Sequence, residues 1–248
     1  MFHVASCITQ ALTKGHVWRQ AGSLRLPLLL SAALVSGEPM FPAHDLQQIT
    51  PPIGNSSSQY ISDPTLKVLM LCARSINIHS STASHTHVDH SPVQSWRKQA
   101  QALQAWCDAR RETFRTLLDI EMPTSEPTVA LFPTIVFSTP AATLANSVCH
   151  AALLLLLRHK PHTVPALSSG SSSVCYARRI CAIAVSNGSN AYWDPCLLSC
   201  LFLAARVMTY VPQQVEIVRC FEEASMRTGW RVLAKWFVDE LQNIWSLT

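Results

Sequence analysis

Apolar residues recur at three-to-four spacing along Trp96, Ala100, Leu103, Cys107, Phe114 and Leu117, while Arg97, Lys98, Asp108, Arg111, Glu112 and Arg115 mostly point elsewhere. That period predicts a helix from Trp96 to Asp119 with one buried face. From Ala145 to Pro161 (ANSVCHAALLLLLRHKP) the pattern changes: Leu153 to Leu157 is unbroken, so the segment is apolar on all sides. Such a helix is predicted to be wrapped by other helices and to end near Arg158, His159 and Pro161. Further on, Val215, Val218, Phe221 and Ala224 predict one helix, Gly229 a break, and Leu233, Phe237, Leu241 and Ile244 the buried face of a helix from Trp230 to Trp245.

Turn-forming residues divide the chain. Residues 1 to 37 carry a helix-compatible apolar pattern, and Glu38 to Pro64 is a linker rich in proline, serine and asparagine. Asp63 and Pro64 suit the cap and first position of a short helix over Leu66 to Arg74. Residues 75 to 93, rich in Ser, Thr and His, read as an exposed loop. Pro123, Pro127, Pro133 and Pro140 forbid a long helix between Met122 and Pro140, although Leu131 to Phe137 is apolar enough to lie against the core. Pro161 to Ser173, with SSGSSS, reads as a surface loop. A Cys/Ala-rich helix spans Tyr176 to Val185, and another runs from Asp194-Pro195 to Thr209, with Pro212 as its stop. No β-alternation of useful length and no internal repeat is evident. The predicted fold is all-α, an array of antiparallel helices with long Pro/Ser-rich loops. Residues 1–65 form an N-terminal segment and linker, and 66–248 the helical domain.

Composition sharpens this picture. Charged residues are 14% and hydrophobic ones 48% of 248 residues, against about 25% charged in an ordinary soluble domain. Either most of the helices are buried in a crowded core, the preferred reading, or part of the surface is meant for a partner. The net charge of +4 is spread along the chain and forms no basic patch of the kind a nucleic-acid surface needs. Nine cysteines, at 7, 72, 107, 149, 175, 181, 196, 200 and 220, lack the close spacing of a zinc site and read as buried thiols of a reducing compartment. Leu24 to Val35 is interrupted by Arg25 and Pro27, lies too far from the start for a secretory signal, and is shorter than the roughly 20 residues a bilayer requires. No membrane partner is expected. Asn55 and Asn187 begin glycosylation sequons of a kind that arises readily by chance.

The sharpest local motif is His85-Thr86-His87-Val88-Asp89-His90. It matches the His-x-His-x-Asp-His motif of metallo-β-lactamase-fold hydrolases, whose histidines and aspartate hold zinc. Here Ser80 to Ser84 precedes it and Ser91-Pro92 follows, in place of an apolar strand and glycines, and only His150, His159 and His162 lie downstream. The motif reads as a histidine-rich loop; His85, His87, Asp89 and His90 remain weak metal candidates, and no cofactor or metal is expected. There is no Gly-x-Ser-x-Gly elbow and no glycine-rich phosphate loop. Glu222 and Glu223 beside Arg219 and Arg227 read as a solvated helix surface, and Trp96, Trp106, Trp230, Trp236 and Trp245 as core anchors. His150, Arg158 and His159 have two readings: the lining of a small-molecule pocket between helices, or, preferred, the polar ends of a buried helix. No catalytic residue is assigned.

Taken together, Trp96 with Trp106 ten residues on, a proline-punctuated stretch, the His150 to Pro161 helix with its Leu-Leu-Arg-His motif, the Tyr176 to Val185 and Pro195 to Thr209 helices, and a terminal Thr-Gly-Trp segment resemble the middle of the fungal-specific transcription factor domain. The resemblance covers roughly residues 90 to 248 and rests on pattern and order. It implies a helical regulatory region, nuclear, and not an enzyme. In that family a six-cysteine zinc cluster and a basic linker precede the region. This sequence has only Cys7 before Cys72, and only Lys14, Arg19 and Arg25 as permanent cations in its first sixty residues, so no DNA-contacting residue carries over. The expectation is a transcription regulator that works through protein partners, either a DNA-binding regulator or a second copy, and controls a biosynthetic or secondary-metabolite gene set. The alternatives are a zinc-dependent hydrolase built on His85 to His90, or a helical scaffold outside transcription.

Overall fold

The computed structural model describes residues 22–38, 63–83, 92–121, 131–164, 172–188 and 193–247. Among them are eight α-helices and one two-stranded sheet: α1 (Gly22–Ser36), α2 (Pro64–Ala83), α3 (Pro92–Asp108), β1 (Thr116–Ile120), β2 (Thr134–Phe137), α4 (Pro140–Arg158), α5 (Ser173–Asn187), α6 (Pro195–Ala205), α7 (Val211–Thr228) and α8 (Arg231–Trp245). The predicted all-α class is correct.

Helix α4 is the axis of the molecule. It packs against α2, α3, α5 and α6. Residues from Ala145 through Cys149 and from Ala151 through Leu156 are all buried, as an all-round apolar pattern requires. The helix is long and apolar enough to cross a membrane, yet most of it is enclosed by its neighbours. Its start depends on two adjacent residues: Thr139 Oγ1 accepts from the Ala142 amide at 3.1 Å, and Pro140 occupies the first turn, where a missing N–H costs nothing. Pro140 is thus a helix start as well as the end of the proline-rich stretch.

Other starts follow the same chemistry. Asp63 Oδ1 accepts from the Thr65 amide at 2.8 Å at the head of α2, and Asp194 Oδ1 from Cys196 at 2.7 Å at the head of α6. Pro212 is not a stop: it lies in the first turn of α7, and α6 has already closed at Ala205. Helix α2 runs on to Ala83, with Ser75 and Ile76 buried, so part of the predicted loop over 75–93 is helical. Helix α1 continues through Pro27 and joins the same apolar core, its Leu30 fully buried against the neighbouring helices.

Two corrections concern faces. The helix predicted over Trp96 to Asp119 stops at Asp108; a short 3-10 turn over Glu112–Phe114 follows, and Thr116–Ile120 is a strand. Leu117, placed on the buried helical face by spacing, is 68% exposed. The strand pairs antiparallel with β2, Asp119 opposite Ile135 and Ile120 opposite Thr134. Alternate burial of Ile135 and Phe137 is the period-two signal, but four residues are too few to tell a strand from an apolar run. In α7 the buried face is Ile217, Cys220, Phe221 and Ala224, while Val215 is exposed. Phe221 and Phe202 flank Phe237 of α8 at ring distances of 5.3 and 5.0 Å, and that aromatic contact sets which side of α7 turns inward.

The predicted break at Gly229 is a left-handed cap, with φ +76° and its amide donating to Ser225 O at 2.9 Å. A Cβ there meets nothing within 4 Å, so the cost of a side chain is purely conformational. Gly229→Ala is expected to lower stability by about 1 kcal/mol. Gly188 has ordinary helical φ and only van der Waals neighbours around a built Cβ, so Gly188→Ala is expected to be close to neutral. Thermal denaturation of both variants checks the contrast.

Candidate functional site

Two polar places interrupt the apolar interior. The first lies where the end of α3 meets α4, α5 and β1. Arg110 donates from Nε to Cys107 O at 2.9 Å and from its terminal guanidinium nitrogen to Asn146 Oδ1, while lying 5.7 Å above the Trp106 ring. Asn146 Nδ2 donates to Phe114 O at 2.9 Å and to Ala142 O at 2.8 Å, so one buried amide ties the 3-10 turn to α4. One turn on, the His150 ring lies 5.6 Å from Tyr176 of α5, and its Nδ1 is buried without a protein hydrogen-bond partner. Arg179 beside it pairs with Asp119 of β1.

His150 is half-buried as a residue, with its Nδ1 fully enclosed. Burial, then the positive charges of Arg179 and Arg110, push its pKa down to about 3. The imidazole is therefore neutral in the folded protein and offers hydrogen-bond capacity, not charge. The linkage sign follows. The folded pKa lies below the unfolded value near 6.5, so between them the unfolded chain binds more protons. His150 then contributes stability that is fully present above pH 6.5 and is lost as pH falls toward 3. In urea titrations the wild type is expected to lose more stability between pH 7 and pH 5 than His150→Gln; equal losses would contradict the assignment.

The second place is a cavity of about 70 Å³ where the C-terminal ends of α1, α4 and α6 converge, lined by Ala33, Leu34, Leu155, Arg158, His159 and Arg206 among others. Helix ends of this polarity favour cations. Burial and then repulsion from Arg206 lower the Arg158 pKa, and Arg206 lies 6.0 Å over the Phe202 ring. The cavity thus has apolar walls with two guanidinium groups at one end, set at helix ends that favour their charge.

The structure thus divides the three residues grouped as a possible pocket. Arg158 and His159 share the cavity; His150, two turns earlier on α4, belongs to the other cluster. Arg158 and His159 are also the polar end of a buried helix, as the preferred reading expects. His85, His87, Asp89 and His90 lie outside the described residues, and among the described residues no group of three His, Cys, Asp or Glu is placed to hold a metal ion. Glu216–Arg219 and Glu223–Arg227 pairs lie along α7, as a solvated face does. Trp96 and Trp106 are buried, whereas Trp230, Trp236 and Trp245 are half-buried. Arg110, Asn146 and Arg179 were missed. Asn146 carried a signal, a polar residue in an otherwise apolar helix; the arginines carried none, because their partners are 36 and 60 residues away.

Compared with known proteins, the chain matches no family model, no curated protein and no solved structure.

Proposed function

We propose that the chain is a transcription-regulatory protein built as a helical effector domain and acting through protein contacts, in the manner of the helical region of fungal transcription regulators. The observation that carries the reading is one contact. Trp96 Nε1 donates to Leu156 O at 2.8 Å in the core, which joins the tryptophan helix to the Leu-Leu-Arg-His helix, the two segments on which the resemblance chiefly rests. In support, the Tyr176 to Val185 segment lies within α5, the greater part of Pro195 to Thr209 on α6, and the stretch ending at Trp245 on α8, all with residues in the same core. Exposed apolar side chains are compatible with work through partners: Tyr210, Val211, Val215, Met226 and Val232 on and around α7 and α8 are each more than half exposed. The hydrolase reading gains nothing from the described residues, whose strands form one two-stranded sheet and not the two sheets that its motif serves.

Tethering tests the proposal. Fused to a heterologous DNA-binding domain upstream of a reporter, the chain is expected to change transcription relative to that domain alone, in either direction. A folded, nuclear fusion that leaves the reporter unchanged would overturn it.

A further inference from the structure

We propose that Cys107 and Cys149 are a peroxide-responsive dithiol pair whose oxidation covalently ties the C-terminal end of α3 to the middle of α4. The two Sγ atoms lie 3.3 Å apart although the residues are separated by 42 positions. A disulfide holds its sulfurs at about 2.05 Å, so the gap closes by roughly 1.3 Å, within reach of side-chain adjustment. Among the other described cysteines, Cys72, Cys181, Cys196, Cys200 and Cys220 are buried and Cys175 is exposed; the one further thiol contact among them, Cys196 with Cys200, lies within a single helix turn of α6.

The pair is asymmetric in the way that stepwise oxidation requires. Cys149 is buried and Cys107 half-buried, so an oxidant from solvent meets Cys107 first. The thiol of Cys149, acting as hydrogen-bond donor, and then the Arg110 guanidinium draw the Cys107 pKa down against the effect of burial, while the same hydrogen bond and burial push Cys149 up. Arg110 is fixed beside Cys107 by its bond to the Cys107 carbonyl and by Asn146. Cys107 is the attacking thiolate and Cys149 the resolving thiol.

With hydrogen peroxide as oxidant, the Cys107 thiolate attacks one oxygen, the O–O bond breaks, and the departing hydroxide takes up the thiol's released proton as water, leaving a sulfenic acid. Cys149 Sγ then attacks Cys107 Sγ; the S–O bond breaks, and the oxygen leaves as a second water with the proton of Cys149. Two thiols and one peroxide give one disulfide and two waters, the sulfurs losing the two electrons that the peroxide gains. A dithiol reductant reverses the change. The inference is independent of the regulatory reading, because it concerns only the chemistry of the α3–α4 joint.

The test is peptide mapping of the full chain after brief exposure to limiting hydrogen peroxide, with a sulfenic-acid-trapping dione present in a parallel sample. The expected result is a Cys107–Cys149 cross-linked peptide lighter by two hydrogens and restored by dithiothreitol. It should form before exposed Cys175 is oxidised. In Cys149→Ser the dione should label Cys107, and in Cys107→Ser the cross-link and that label should both vanish. The wild-type map needs no variant to fold. Cys107 and Cys149 still reduced when Cys175 is oxidised, or Cys107 trapped as sulfenic acid in wild type with no cross-link, would overturn the proposal.

Discussion

Trp96→Ala is expected to cost about 4 kcal/mol, a large share of the roughly 5–15 kcal/mol that holds a domain of this kind together. The indole is 1% exposed, and its removal opens a cavity between α3 and α4 in a core that relaxes only partly. The lost hydrogen bond adds less, because Leu156 O also accepts from the His159 amide at 3.2 Å and is not left bare. Trp96→Phe separates the two effects. It keeps most of the ring volume and is expected to cost about 1–2 kcal/mol. Urea unfolding followed by circular dichroism reads both: the midpoint should fall in the order wild type, Phe, Ala with unchanged slope. Equal midpoints for wild type and Trp96→Ala would mean that the α3–α4 joint is not part of the folded core.

Asn187 is the second position of large effect. Its Nδ2 donates to Ile135 O and Ile183 O, both at 2.7 Å, and its Oδ1 accepts from the Phe137 amide at 3.1 Å. Beside it, Ser186 Oγ accepts from the Ile135 amide at 3.1 Å. Side chains at the end of α5 thus satisfy the edge of β2 that β1 does not cover. Asn187→Ala leaves the buried Phe137 amide and Ile135 carbonyl without these partners and is expected to cost about 2–3 kcal/mol. Asn187→Asp should be worse, about 3–5 kcal/mol at neutral pH, because a buried carboxylate cannot donate to either carbonyl and has no cation beside it in this network. Its deficit should shrink as pH falls and the carboxyl takes up a proton. Denaturation of the two variants at pH 7 and pH 5 checks both order and trend. The same geometry occupies both hydrogens of Nδ2, so glycosylation at Asn187 is expected to be absent from the folded chain, as intact mass would show.

The helices were legible where pattern and punctuation agreed. Leu153 to Leu157 is apolar on every side and its helix lies at the centre of the fold, and Asp63-Pro64 and Asp194-Pro195 each start a helix at the expected residue. Errors came where local signals compete. Arg111 to Asp119 fits a helical wheel, but pairing with β2 draws the part from Thr116 onward into a strand, a choice settled by residues beyond the proline-rich stretch. Val215 and Ile217 are both β-branched and apolar, and only the aromatic contact with Phe237 decides which of them is buried. Proline at 212 was ambiguous because the same ring that stops one helix suits the first turn of the next.

The polar clusters were less legible, for a physical reason. His150, Arg158 and His159 stand out in a leucine run, but their partners Arg179, Tyr176 and Arg206 come from α5 and the end of α6, and no short-range spacing brings them together. The Cys107–Cys149 contact is of the same kind. Nine cysteines in an apolar sequence suggested buried core thiols, which holds for Cys72 and Cys181, whose pKa values burial raises, and for Cys200, raised by its hydrogen bond with Cys196 and then by burial. Only the crossing of α3 over α4 brings Cys107 and Cys149, 42 positions apart, side by side.

The regulatory account is tested most directly by genome-wide chromatin occupancy of the tagged protein expressed from its own locus, since that measurement assumes no direct contact with DNA. Discrete promoter peaks, lost with Trp96→Ala and retained with Gly188→Ala, are the predicted result. An abundant, folded protein with no enrichment at any promoter would contradict it and leave a helical scaffold outside transcription.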